Sequence, residues 1–173
     1  EPALDLTVKL NPEHWAETLG GTVLPTGSVR LRQSGPVETL AGFGDGEWWV
    51  QDAAAALPAK ILMQAARTSA GSRVADLCSA PGGKTLQLAA AGCSVTSIDS
   101  SEKRLERVQE NLDRMSLSSD IVHADVMRWT PPEPFDAVLL DAPCSATGTL
   151  RRHPDLGYLK KRRDVVAYPE TQR

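Results

Sequence analysis

The chain has 173 residues, 41% of them hydrophobic and 24% charged, the make-up of one globular domain with a sizeable core and not of a disordered segment. A net charge of −3, from 19 basic and 22 acidic side chains, gives no basic field over the whole molecule that would advertise nucleic acid. No apolar run approaches the ~20 residues of a membrane helix, and Glu1-Pro2 is not the start of a signal peptide. The three cysteines, Cys78, Cys93 and Cys144, are too widely spaced for a zinc site and odd in number for a disulfide framework. A cytoplasmic protein holding no metal is expected.

In chain order, residues 1–50 read as a small strand-and-loop extension. Leu4 to Leu10 alternates apolar and polar residues, as does Val29 to Arg32, which predicts half-exposed strands. Gly20-Gly21, Pro25 with Gly27, Gly35-Pro36 and the glycines of 42–46 mark turns. Trp48 and Trp49 are either a base-stacking surface or, preferably, packing against the next domain. From Gln51 the pattern changes to alternating helix and strand. Asp52 to Arg67 predicts a helix that Pro58 kinks or divides. Strands are expected over Arg73–Leu77, Ser94–Ile98, Ile121–His123 and Phe135–Leu140, the last apolar enough to be buried on both faces. Helices are expected over Lys84–Ala91 and Ser101–Met115, the second with Leu105, Val108, Leu112 and Met115 on one face and Ser100 or Ser101 as N-cap. Such alternation predicts an α/β fold with a parallel sheet and a ligand at the carboxyl ends of its strands.

The turn after the first of those strands is Cys78-Ser79-Ala80-Pro81-Gly82-Gly83-Lys84. Gly82 and Gly83 let the backbone approach a ligand and turn into a helix whose first N–H groups bind anions. A P-loop would match Gly83-Lys84-Thr85 but puts Cys78 where its first glycine belongs. A dinucleotide fingerprint, G-x-G-x-x-G, is absent. S-adenosylmethionine is the third candidate, its carboxylate meeting the helix start and Lys84. Each of the four strands closes on or beside an aspartate: Asp76, Asp99, Asp125 and Asp141. That rim repels a triphosphate and suits a sulfonium, an ammonium and a ribose, with Asp99 accepting both ribose hydroxyls. S-adenosylmethionine is favoured.

The turn after the fourth strand, Asp141-Ala142-Pro143-Cys144, offers a thiol where methyltransferases of exocyclic amines place a proline–aromatic pair. C5 of a pyrimidine becomes nucleophilic only after a thiolate adds to C6, which gives Cys144 a chemical role. Between Arg151 and Arg163 six basic residues face one acid, and the rest of the chain carries a balance of −8. Arg151 and Arg152 are therefore candidates for RNA phosphate contacts.

Over residues 45–157 these motifs resemble the Sun/Fmu family of RNA cytosine-C5 methyltransferases, and are most similar to its bacterial 16S ribosomal RNA members. The resemblance implies a Rossmann-like methyltransferase core whose cofactor is S-adenosylmethionine and whose partner is RNA, ribosomal RNA first of all; separately, a monomer is expected. It implies that Cys78 to Lys84 line the methionine end of the cofactor, that Asp99 takes the ribose, and that Asp125 lies by the adenine. It further implies that Asp141 reaches both cofactor and base, and that Cys144 assists release of the product. The family's attacking nucleophile is a second cysteine, in a Thr-Cys turn after a fifth strand. No cysteine follows Cys144, so the chain is expected to be a fragment, truncated on its carboxyl side. On this reading residues 51–173 are the incomplete catalytic domain and 1–50 the junction to an RNA-binding domain. A P-loop nucleotide hydrolase and a non-catalytic RNA-binding module that keeps the cofactor fold are the alternatives.

Overall fold

The computed structural model describes residues 2–32, 35–150, 154–159, 161 and 168. The chain divides into two compact units, Ala3–Leu140 and the residues from Asp141 onward.

The first unit holds two sheets. In the amino-terminal one, β1 (Leu4–Val8) pairs antiparallel with β3 (Val29–Leu31) and with β4 (Trp48–Val50), and β2 (Thr22–Val23) pairs with β3. Between β1 and β2 lies a helix that the alternation pattern did not predict, α1 (Pro12–Thr18). Its local signals are Pro12 in the first turn and the acidic Glu13 beside it, both favourable at a helix start. Leu6, Ala16, Val29, Leu31 and Trp48 form the core of this sheet and its helix. On the other face, buried Asp5 accepts two hydrogen bonds from Arg30, at 2.7 and 2.8 Å, and a third from the Ala53 N–H at 3.1 Å. The bond to Asp5 pushes the Arg30 guanidinium further above its ordinary pKa. Asp5 thus ties the amino-terminal sheet to the segment after β4. Asp5→Ala is expected to cost on the order of 2 kcal/mol in a chemical denaturation experiment, since it strands three donors.

The second sheet is parallel, in the order β7-β6-β5-β8, with β5 Arg73–Leu77, β6 Ser94–Asp99, β7 Asp120–His123 and β8 Ala137–Leu140. Its register sets Leu77 beside both Ile98 and Leu140. Strand order reverses between β5 and β8, which opens a crevice at their carboxyl ends. On one face α4 (Glu102–Arg114) contributes Leu105, Val108 and Leu112 to a cluster with Trp49, Ala80 and Leu86. On the other, Ala59 and Leu62 of α2 (Leu57–Ala65) pack against Val74, Val95, Ala137 and Leu139, with Leu88 of α3 (Gly83–Ala90) and Cys93. Trp48 and Trp49 are both buried, so they pack and do not stack bases.

Two expectations need correction. The helix expected over Asp52–Arg67 starts only at Leu57, with Pro58 in its first turn, where its missing N–H costs no helical bond. The last strand is not buried on both faces: Val138 is 50% and Leu140 56% exposed, while Ala137 and Leu139 are buried. Among the described residues β8 is an edge strand, and α2 covers one face of it. Ser101 is the N-cap of α4, one of the two positions the sequence offered, although its hydroxyl makes no capping bond. Its backbone N–H instead donates to Asp99.

The second unit contains a 3-10 turn at Thr147–Thr149 and a short helix, α5 (Leu156–Leu159). Among the described residues no helix is long and apolar enough to cross a membrane.

Candidate cofactor site

The turn between β5 and α3 is built by backbone bonds that leave it little freedom. Ser79 N–H donates to the Ile98 carbonyl at 2.9 Å, Gly82 N–H to Ser79 at 2.8 Å, and Leu86 N–H to Gly82 at 2.8 Å. Cys78, half-buried, takes a left-handed φ of 61°, a conformation that non-glycine residues adopt rarely and mostly at functional turns. Gly82 caps α3 at φ 102°, where a side chain would be strained and would meet Val108. Gly83 has a different reason. A Cβ there would sit 3.3 Å from Gln51 Nε2, so a protein amide, and not only a ligand, favours a glycine here.

Beneath the turn lies a buried polar network. Thr85 Oγ1 donates to Asp76 Oδ2 at 2.7 Å and lies 3.0 Å from Ser97 Oγ, which in turn lies 2.7 Å from Ser119 Oγ. Asp76 and Thr85 are both buried. A P-loop threonine must present its hydroxyl to a metal-bound phosphate; Thr85 presents its own to Asp76. Asp76 therefore braces α3 against β5 from below.

Asp99, at the end of β6, is the joint of the site. Its side chain is 2% exposed. Oδ2 accepts the Ala80 N–H at 3.3 Å, and Oδ1 accepts the Ser101 N–H at 3.0 Å. Arg104 lies 3.5 Å from Oδ2 and donates to the Ala80 carbonyl at 2.8 Å. One carboxylate and one guanidinium thus tie the glycine-rich turn to the end of the neighbouring strand. Each Asp99 oxygen keeps a second lone pair for a further donor. Arg104 was not among the residues expected here, because nothing in the sequence distinguishes it from Lys103 and Arg107. Asn111, on the same helix, donates to the Pro81 carbonyl at 3.1 Å.

Ser79 Oγ is buried and has no hydrogen-bond partner among the described residues. Buried hydroxyls seldom stay so, and in this turn a ligand group would satisfy it. Lys84 is half-buried in the first turn of α3. An orphaned hydroxyl, a cation and a helix start in one turn, with the Asp99 carboxylate held against it, fit a ligand with an anionic amino-acid end and hydroxyls. Asp125 is exposed and its Oδ1 accepts the Met127 N–H at 3.0 Å, so it also shapes the turn after β7. Met127 and Arg128 are exposed beside it, with Arg128 Nε 3.9 Å from Oδ2.

In the second unit Asp141, Pro143 and Cys144 are exposed. The Ala146 N–H donates to Cys144 Sγ at 3.4 Å, and Ala146 takes a left-handed φ of 57°. Arg151 and Arg152 lie outside the described residues. Among the described residues no group of three His, Cys, Asp or Glu side chains is placed to hold a metal ion.

The chain is similar to known proteins. A sequence profile described as 16S rRNA methyltransferase RsmB/F matches residues 63–173. Ribosomal RNA small subunit methyltransferase B of Klebsiella pneumoniae subsp. pneumoniae is 41% identical over 150 residues, covering 84% of this chain and 34% of that protein. The protein of the same name from Vibrio cholerae is 44% identical over 142 residues, covering 79% of this chain and 32% of its own length. The chain thus spans about a third of the length of the curated relatives it matches. Among solved structures, PH0851 shares the fold, with a TM-score of 0.85 at 23% identity over 99% of this chain and 42% of that one. NSun6 from Pyrococcus horikoshii, determined with SFG, gives a TM-score of 0.66 at 26% identity over 80% of this chain and 36% of that one. With a parallel sheet whose order reverses at a glycine-rich turn, the chain belongs to the RsmB/F family of 16S rRNA methyltransferases.

Proposed function

We propose that this chain is the cofactor-binding part of an S-adenosylmethionine-dependent methyltransferase acting on C5 of a cytosine in 16S ribosomal RNA. The observation that carries the cofactor assignment is the Ala80–Asp99–Arg104 junction, which fixes a hydroxyl acceptor against the glycine-rich turn. When bound, S-adenosylmethionine supplies a methyl group on a sulfonium, open to attack by a carbon nucleophile. The residues from Cys78 to Gly83 form the wall of the methionine end, Lys84 meets its carboxylate, Asp99 takes the ribose and Asp125 flanks the adenine. Asp141 and Cys144 serve the target base, and Arg151 and Arg152 hold RNA phosphates through contacts that weaken with salt. Residues 51–173 belong to the catalytic domain and residues 1–50 join it to an RNA-binding domain. The protein works as a monomer in the cytoplasm, where ribosomal RNA is modified.

Isothermal titration separates this from the P-loop alternative. S-adenosylmethionine is expected to bind and ATP with magnesium is not; the reverse result ends the proposal. The Lys84 contact has its own test. Lys84→Met is expected to weaken S-adenosylmethionine about tenfold, the loss of one charge-assisted bond, and to leave 5′-methylthioadenosine, which has no carboxylate, nearly unchanged. Equal losses for the two ligands would assign Lys84 to packing instead.

A further inference from the structure

A single chain of hydrogen bonds runs from the amino-terminal sheet into α3. Trp49 Nε1–H donates to Gln51 Oε1 at 3.0 Å, Gln51 Nε2 to Gln87 Oε1 at 2.8 Å, and Gln87 Nε2 to the Ala56 carbonyl at 2.9 Å. A longer branch joins Gln51 Nε2 to the Ala55 carbonyl at 3.4 Å. Gln51 is 7% and Gln87 5% exposed. An indole nitrogen only donates and a carbonyl only accepts, so both ends of the chain are fixed and neither amide can flip without setting like groups against each other. Apolar side chains of similar volume would fill the same space without any desolvation cost. What the polar chain adds is a fixed relative position of its members.

Its members grip α3 twice. At Gly83, the first residue of the helix, the Gln51 amide packs so closely that a Cβ would lie 3.3 Å from Nε2 and 3.4 Å from Cδ. One turn further along, Gln87 accepts the Gln51 hydrogen bond. The same first turn carries Lys84 and comes after Ser79, the buried hydroxyl that has no partner among the described residues. The ribose end is held separately, by Asp99 with Ala80, Ser101 and Arg104.

We propose that Gln51 and Gln87 are positioning residues that set the first turn of α3, and with it the grip on the cofactor's carboxylate. Strand β4 thereby gains control over cofactor affinity without touching the cofactor. This rests on S-adenosylmethionine being the cofactor, and the test keeps the two apart. The 173-residue chain is titrated with S-adenosylmethionine and with decarboxylated S-adenosylmethionine, which lacks the carboxylate alone. Gln51→Met is expected to weaken the first ligand about tenfold, in line with a misplaced charge-assisted contact, and the second less than twofold. The double variant Gln51→Met/Gln87→Met leaves no lone side-chain amide, only the Trp49 Nε1–H and the Ala56 carbonyl without their side-chain partners, and it is expected to fold with reduced stability and to show the same selective loss. Equal losses for both ligands, or no loss for either, in the folded double variant would overturn the inference and leave the chain as packing. A wild-type chain that binds neither ligand overturns the cofactor reading, and the inference with it.

Discussion

Asp99→Ala is expected to weaken S-adenosylmethionine binding by at least tenfold. Two hydrogen bonds from ribose hydroxyls to a carboxylate contribute ~1.5–3 kcal/mol each, and 1.4 kcal/mol is already a factor of ten. The structure adds a second loss, because the same carboxylate holds the Ala80 and Ser101 N–H groups and faces Arg104. Removing it therefore loosens the turn as well as the ribose contact. Asparagine is no rescue. Both Asp99 oxygens accept a backbone N–H, so an amide in either orientation sets its NH2 group against one of them. Asp99→Asn should consequently approach Asp99→Ala in cofactor affinity, measured by titration calorimetry on variants whose folding is checked by circular dichroism. Wild-type affinity in a folded Asp99→Asn variant would show that the lone pairs are not needed, and the ribose assignment would fall.

The parallel sheet was legible because its signals are local. Val74-Ala75-Asp76-Leu77 and Val95-Thr96-Ser97-Ile98 are short stretches rich in apolar and β-branched residues, and Leu105, Val108 and Leu112 repeat at helical spacing, so strand and helix follow from local pattern. The turn from Cys78 to Lys84 was legible for the same reason: its glycines and lysine are contiguous. What escaped the sequence is what depends on partners distant in the chain. Gln51 and Gln87 are 36 residues apart and look like any surface amides until β4 and α3 bring them together. Gly83 reads as a place for ligand approach, and only the fold shows that Gln51 occupies the space. Val138 and Leu140 read as core because apolar residues imply burial, yet burial needs a covering layer, and α2 covers only the opposite face of β8. Helix α1 was lost among turn residues, since its seven residues are too few for a convincing period.

The largest effect on activity is expected at Cys144. The chain contains no cysteine beyond it, and the relatives it matches are about two and a half times as long. On the family pattern the thiol that adds to C6 of the cytosine belongs to a second cysteine, and Cys144 acts afterwards. Methylated C5 must lose its proton before the C6–S bond breaks and the pyrimidine ring is restored, and a thiol beside both carbons can assist that elimination. The exposed Cys144 Sγ, held by the Ala146 N–H at 3.4 Å in a left-handed turn, is accessible for such a role. Two outcomes are therefore expected. The 173-residue chain should bind cofactor and yet transfer no methyl group to RNA. In a chain that carries both cysteines, Cys144→Ala should slow turnover by about a hundredfold or more, the usual worth of one acid–base group, with a covalent protein–RNA adduct accumulating on a denaturing gel. The decisive contrast is between trapping and silence. If the isolated chain methylates cytosine, and Cys144→Ala abolishes transfer without trapping RNA, then Cys144 is itself the nucleophile and the assignment of a second cysteine is wrong.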